Sequence, residues 1–429
     1  MSRLPPPDLA RVADDLETLA SYRDPGAPGW TRRVFSRFDR AGREWVAGRM
    51  EQAGLALETD AAANLIGRLP GAAGLPGAIV TGSHTDTVYG GGRYDGIVGV
   101  LGAIEAIRCL RQAGAELAHD LVVVDFLGEE PNDFGLSCVG SRAIAGELDA
   151  QHLKLVGPEG HNLGEALAAC GGQPAALARA RWPAGLHCYV ELHIEQGPVL
   201  EKARVPIGVV TGIVGIRRLV VHITGQPDHA GTTPMGRRRD ALLGAAESAL
   251  AVERLASGGV ATVGRLEVRP GAQNVVPAEA DLWAEARSAE EGWLDHFERN
   301  LTDALGAIGT GRQLGMSLSW ISRKSPVPAT PWVADAIAEA ARSQGIEPLS
   351  LASGAGHDAS FMAHLGPMGM VFVPSRSGRS HCPEEWTDID DIGRGIAVLA
   401  ETVMICDGKA GNAAPRAGGR VEEVAGLDE

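Results

Sequence analysis

One stretch constrains this chain more than any other: Ala78 to Val100, AIVTGSHTDTVYGGGRYDGIVGV. The apolar run Ala78-Ile79-Val80 reads as a buried strand. It breaks at Thr81-Gly82-Ser83 into a loop carrying His84, Asp86 and Asp95, with three consecutive glycines in between. A second apolar run, with helical spacing, starts at Ile97. A strand that ends in a glycine-rich loop bearing one imidazole and two carboxylates is suited to a borderline divalent ion such as zinc. The glycines accept backbone angles that other residues avoid, so the chain can close tightly round an ion.

At 429 residues the chain is long enough for two domains. A hydrophobic content of 45% supports a large core, and a formal charge of −15 argues against a nucleic-acid partner. The start, MSRLPPPDLARVADDL, has no apolar signal core, and no stretch is long and apolar enough to span a bilayer. Six scattered cysteines without a C-x-x-C read as free thiols. The expectation is a soluble, cytoplasmic α/β protein.

Along the chain, Pro7 to about Gly54 reads as helical. Strands are expected at Asn64–Leu69, at Leu121–Phe126 ending in Leu127-Gly128-Glu129-Glu130, and at Cys188–Ile194 ending in Glu195-Gln196-Gly197. A helix is expected from about Val98 to Gln112, and an interrupted helical segment from Gly157 to Pro183. From about Ile213 the style changes. Strands near 217–224, 261–268, 280–287 and 314–321 alternate in polarity, with helices at 239–255 and 290–305, which describes a small α+β layer with an exposed sheet face. Beyond Pro326-Val327-Pro328 the first style returns, with a helix at 331–344 and a strand at 370–373. The expected organisation is therefore a first domain in two parts, 1–211 and 329–408, an inserted domain at 212–328, and an unstructured tail at 409–429.

Four polar clusters follow apolar strands: His84/Asp95, Glu129/Glu130, His193, and His381 in Ser377-Gly378-Arg379-Ser380-His381. Ligands gather at the carboxyl ends of strands in open α/β sheets. A lone histidine there is more often an ordinary loop residue, but four clusters together make coincidence a poor account. Three histidines and two or three carboxylates can build a pair of metal sites, one aspartate bridging two ions. Neighbouring Glu129 and Glu130 point in different directions, so one can ligate while the other serves as a base.

The motifs GSHTDTV (82–88), GGRYDG (91–96), Glu129-Glu130, ELHIEQGPVLE (191–201), DHAGTTPM (228–235) and NVVP (274–277) resemble the hydantoinase/carbamoylase branch of the M20 metallopeptidases over roughly residues 10–407. That resemblance implies a zinc-exopeptidase-like catalytic domain with a mixed, mostly parallel sheet, and an inserted α+β lid and dimerisation domain. It implies two divalent ions per subunit (zinc, or manganese, cobalt or nickel). His84, Asp95 and His193 would hold one, and Asp95, Glu130 and His381 the other. Glu129 would be the catalytic base, Asp86 would orient His84, and His229 would stabilise the oxyanion. Arg218, Asn274, Arg287, Gln196, Gly356 and His357 would contact a small anionic ureido or amide substrate, in a homodimer. Two stretches depart from the branch's commoner pattern: Ala284-Glu285-Ala286-Arg287, where D-x-R is usual, and Pro131-Asn132-Asp133-Phe134-Gly135 after the glutamates. The leading expectation is hydrolysis of the C–N bond of an N-carbamoyl amino acid. The alternatives are allantoate amidohydrolase, an M20 aminoacylase or dipeptidase, and a non-catalytic dimer.

Overall fold

The computed structural model describes residues 4–183 and 185–409. The tail expected to be unstructured lies outside the described residues except for Lys409. The chain divides into two compact units, residues 213–328 and the segments on either side of them.

The first unit opens with helices α1 (Leu9–Ser21) and α2 (Arg37–Gln52). The single helical region expected there is broken by Asp24-Pro25-Gly26-Ala27-Pro28-Gly29, whose prolines and glycines cannot continue a helix. Then come β1 (Ala56–Thr59), β2 (Leu65–Leu69), β3 (Ile79–His84), α3 (Ile97–Gln112), β4 (Leu121–Phe126), α4 (Val139–Ala145), α5 (Leu163–Ala169), β5 (Cys188–Ile194), α6 (Val199–Ala203) and β6 (Gly208–Ile213). Of the segment expected to be helical from Gly157 to Pro183, only α5 is α-helical. Residues Pro174–Ala180 form 3-10 turns.

The second unit holds β7 (Gly215–Thr224), α7 (Ala241–Leu255), β8 (Val260–Arg269), β9 (Glu279–Ser288), α8 (Glu291–Arg312) and β10 (Gly315–Lys324). The chain finishes with β11 (Val327–Pro328), α9 (Pro331–Ser343), β12 (Leu349–Ser353), α10 (Ala359–Met362), β13 (Met368–Val373) and α11 (Ile389–Asp407).

The large sheet runs β1-β2-β4-β3-β5-β13-β6-β11, with β12 on β6. Its centre, β4-β3-β5-β13, is parallel, and antiparallel pairs flank it. The α/β class with a mostly parallel central sheet, expected from the sequence, is what the structure has. Every residue of β3, β4, β5 and β13 is buried, as strands covered on both faces require. Helices α3, α9 and α11 supply one cover through Val100, Ile104, Ile107, Ile337, Ile396 and Leu399. This burial is what fixes the loops at the strand ends.

The antiparallel sheet of the second unit runs β10-β7-β9-β8. Leu219, Val221, Ile223, Ala280 and Leu282 pack under α7 and α8 with Phe297, Leu301 and Leu305. The period of two sends Arg218, Glu285 and Arg287 to the opposite face. Among the described residues no helix is long and apolar enough to cross a membrane.

Candidate metal centre and active site

His84 is the last residue of β3, level with Phe126 on β4. Its Nδ1 lies 3.1 Å from the Asp86 carbonyl oxygen, which leaves Nε2 facing inward, 3.7 Å from Glu129 Oε2. Gly96 makes room for this ring. It sits at φ +69°, and a Cβ there would collide with the imidazole. His193, near the end of β5, sets Nδ1 2.9 Å from the Ile194 carbonyl oxygen and Nε2 3.2 Å from Asp95 Oδ1. His381 sets Nε2 3.0 Å from Asp95 Oδ2 and 3.3 Å from Glu130 Oε1. Each oxygen of Asp95 thus meets a different imidazole.

Donor atoms of His84, Asp95 and His193 lie within 4.8 Å of one another, and so do those of Asp95, Glu130 and His381. Two imidazole–carboxylate sets sharing one two-oxygen aspartate fit a pair of divalent cations. The electrostatics agree. Hydrogen bonds to Asp95 and then Glu130 push His381 up to about 11. Burial opposes the charge of Asp95, but hydrogen bonds from His193 and His381 outweigh it and hold Asp95 well below the usual carboxylate range. An imidazole must give up its proton from the ligating nitrogen before it can bind a cation, so metal uptake would release protons.

Asp86, expected to orient His84, has its Oδ1 3.5 Å from His84 Nδ1. Its Oδ1 accepts the Glu129 N–H at 3.2 Å and its Oδ2 the Glu130 N–H at 3.3 Å, so one buried carboxylate braces both loops. Burial raises Glu129 well above its usual range, with His84 partly offsetting this. Gln196, held at φ +59°, donates Nε2 to Asp95 Oδ2 at 2.8 Å. His357 is buried edge-on against His193, ring centroids 4.5 Å apart, with Nε2 2.7 Å from Ser353 Oγ. It therefore buttresses a ligand candidate. Gly356 is exposed, and a Cβ there would meet nothing within 4 Å.

His229, Asn274, Arg218 and Arg287 belong to the second unit. Ala230 N–H donates to the Asn274 carbonyl and Val276 N–H to that of Asp228, so His229 and Asn274 sit on paired segments. Arg217 and Arg218 part company. Arg217 is buried, 2.5 Å from both Glu298 and Glu291 carboxylates, whereas Arg218 Nε lies on the other face, 3.1 Å from Glu285 Oε2. Arg287 Nε donates to Glu285 Oε1 at 2.8 Å.

Sequence reasoning missed Glu385. Its Oε1 accepts the N–H groups of Tyr94 (2.8 Å) and Asp95 (3.1 Å), and its Oε2 the Ser380 hydroxyl (2.8 Å) and His381 N–H (3.3 Å). This one buried carboxylate ties the Asp95 loop to the His381 loop. The signal was an acidic pair, Glu384-Glu385, just after a candidate ligand. In Glu385→Gln the amide N–H₂ must face two donors. The expected result is about 10- to 100-fold weaker metal binding in chelator competition, with activity recovering at saturating metal. Unchanged metal affinity would remove Glu385 from the site.

The family model for peptidase family M20/M25/M40 matches residues 75–405. The chain is 40% identical to an N-carbamoyl-L-amino-acid amidohydrolase of Paenarthrobacter aurescens, covering 92% of this chain and 98% of that protein. It is 38% identical to a ureidoglycolate hydrolase of Oryza sativa subsp. japonica, covering 90% of this chain and 82% of that protein. The crystal structure of an amidase of the hydantoinase/carbamoylase family from Burkholderia multivorans superposes with a TM-score of 0.88 at 35% identity, over 94% of this chain and 99% of that one.

Proposed function

Because the chain belongs to peptidase family M20/M25/M40 and presents two donor sets joined at Asp95, we propose that it is a binuclear metal-dependent amidohydrolase acting on small α-ureido carboxylates. The observation that carries this reading is Asp95, with Oδ1 3.2 Å from His193 and Oδ2 3.0 Å from His381, beside a buried glutamate that belongs to neither donor set.

In this reading His84, Asp95 and His193 hold one divalent ion, and Asp95, Glu130 and His381 the other. Such ions, when bound, polarise the ureido carbonyl and make water more acidic. Glu129 takes a proton from the attacking water and passes it to the departing nitrogen. Asp86 fixes the Glu129 backbone while this happens. His229 donates to the oxygen that becomes negative. Arg218 and Arg287 take the substrate carboxylate, because a guanidinium matches its two oxygens. The C–N bond to the departing nitrogen breaks, releasing an amine and carbamate, and the carbamate then falls apart into carbon dioxide and ammonia as its remaining C–N bond breaks.

N-carbamoyl amino acids, ureidoglycolate and allantoate share a ureido nitrogen on the carbon next to a carboxylate. They differ in that carbon's third substituent: a side chain, a hydroxyl or a second ureido group. The higher identity to the carbamoyl-amino-acid enzyme favours the first. The test is ammonia release from all three and from N-acetyl amino acids, after dialysis against chelator and after addition of zinc, manganese, cobalt or nickel. Release from ureido acids that needs metal is expected. Turnover confined to N-acetyl compounds or dipeptides would move the enzyme to an aminoacylase or peptidase role.

The second unit is proposed as the lid and dimerisation domain, and the molecule as a homodimer. The exposed face of its sheet, with Ile321 and Val260 open to solvent, supports this, and sedimentation at assay concentration checks it. The six cysteines are free thiols, which suits the proposed cytoplasmic location. Cell fractionation checks that.

A further inference from the structure

The loop that carries Glu129 leaves β4 at Leu127 and returns at Cys138. Three consecutive backbone bonds close it: Cys138 N–H to Glu129 C=O (2.9 Å), Val139 N–H to Gly128 C=O (2.9 Å) and Gly140 N–H to Leu127 C=O (2.8 Å). Cys138 stands at the N-cap of α4, in the left-handed conformation (φ +55°, ψ +41°), and its side chain makes no cap bond. Both choices are unusual. An N-cap normally has extended angles and a serine, threonine, aspartate or asparagine. The left-handed region normally takes glycine or asparagine. A side chain kept where a glycine would be easier is a reason to ask what it touches.

Its Sγ lies 3.6 Å from Glu129 Oε1, and the thiol is buried. The other oxygen, Oε2, is the one 3.7 Å from His84 Nε2. The carboxylate is therefore held between a thiol on one oxygen and the metal-site imidazole on the other. We propose that Cys138 is a positioning residue for Glu129, its left-handed backbone aiming a thiol at Oε1 so that Oε2 faces the reacting water. This rests on the reading of Glu129 as the base. An S–H is a weak donor. It can restrain the rotamer of the carboxylate without stabilising its anion as strongly as a hydroxyl or amide would.

Cys138→Gly is the informative variant, because glycine accepts this backbone and removes the thiol-bearing side chain. Thermal stability equal to or above wild type is expected, with metal content and KM unchanged and kcat lower by about tenfold, the scale of one hydrogen bond to a charged group. Cys138→Ser, which keeps a donor, should return most of kcat. On a Glu129→Gln background, Cys138→Gly should cost nothing further, since the carboxylate it positions is gone. Wild-type kcat in Cys138→Gly, or a loss of kcat matched by loss of metal, overturns the proposal. So does an equal further loss on the Glu129→Gln background. If Glu129→Gln alone keeps wild-type turnover, the reading of Glu129 fails, and that result is distinct from a failure at Cys138.

Discussion

Glu129→Gln is expected to lower kcat by about 10²- to 10⁴-fold, the usual contribution of a general base, while metal content and KM stay near wild type. Glu129 belongs to neither donor set. Burial pushes its carboxyl well above the usual range, with His84 partly offsetting this. A carboxylate with raised proton affinity can accept a proton from water and then release it to an amine. Glutamine keeps the shape and the contact with Cys138 but has no basic oxygen. Glu130→Gln is expected to behave in the opposite way, because Glu130 Oε1 lies 3.3 Å from His381 Nε2 in the second donor set. It should lose metal first and activity as a consequence. Steady-state kinetics beside elemental analysis of both variants separates the two roles. A Glu129→Gln protein that has lost its metal, next to a Glu130→Gln protein that has kept it, would mean that the two glutamates have exchanged jobs.

These two residues also show what a sequence can reveal about such a site. The strands that deliver His84, Glu129 and His193 were legible because parallel strands buried on both faces are continuous apolar runs, and each ends abruptly in polar residues. The structure gathers His84, Asp95, Glu130, His193 and His381 from four separate segments, and their spacing in sequence carries no distance between them. The bracing was less visible. Glu385 acts through backbone N–H groups, and any residue type can offer those. His357 reads as a site residue in sequence, and the structure sets it beside His193 and Ser353, with a donor atom close to those of Glu191 and His193. Helix α11 has no counterpart among the elements expected from the sequence. Its Ile392, Ile396, Leu399 and Val403 lie on one buried face, at the spacing of a helix packed on one side. The N-terminal region failed for a different reason: helical spacing on either side of Asp24–Gly29 masked the break. In the second unit the alternation of polarity gave the strands, and the neighbours Arg217 and Arg218 then had to face opposite ways. That parity separates a structural arginine, locked to Glu291 and Glu298, from one left on the open face.

Arg287→Ala is expected to lose about 10- to 150-fold in kcat/KM on a ureido carboxylate, the scale of one charge-assisted hydrogen-bonded contact. Arg287 and Arg218 share a single carboxylate. Glu285 Oε1 takes Arg287 Nε at 2.8 Å, and Oε2 takes Arg218 Nε at 3.1 Å. Both arginine side chains are partly exposed to solvent. In the proposed reading a substrate carboxylate reaches the exposed parts of these two guanidiniums. Glu285 is paired directly with Arg218 across β7 and β9, which lets one side chain reach both guanidiniums. Lysine at position 287 should restore little, because a point charge cannot pair with Glu285 and a substrate carboxylate in one plane. The decisive comparison uses a substrate whose carboxylate is replaced by an amide. Wild type should handle it poorly, and Arg287→Ala should handle it no worse than wild type does, since either change removes the same contact. Kinetics of both enzymes on both substrates close the cycle. Losses that simply add would show that Arg287 serves the sheet through Glu285, and the substrate's charge would then have to be read by another residue.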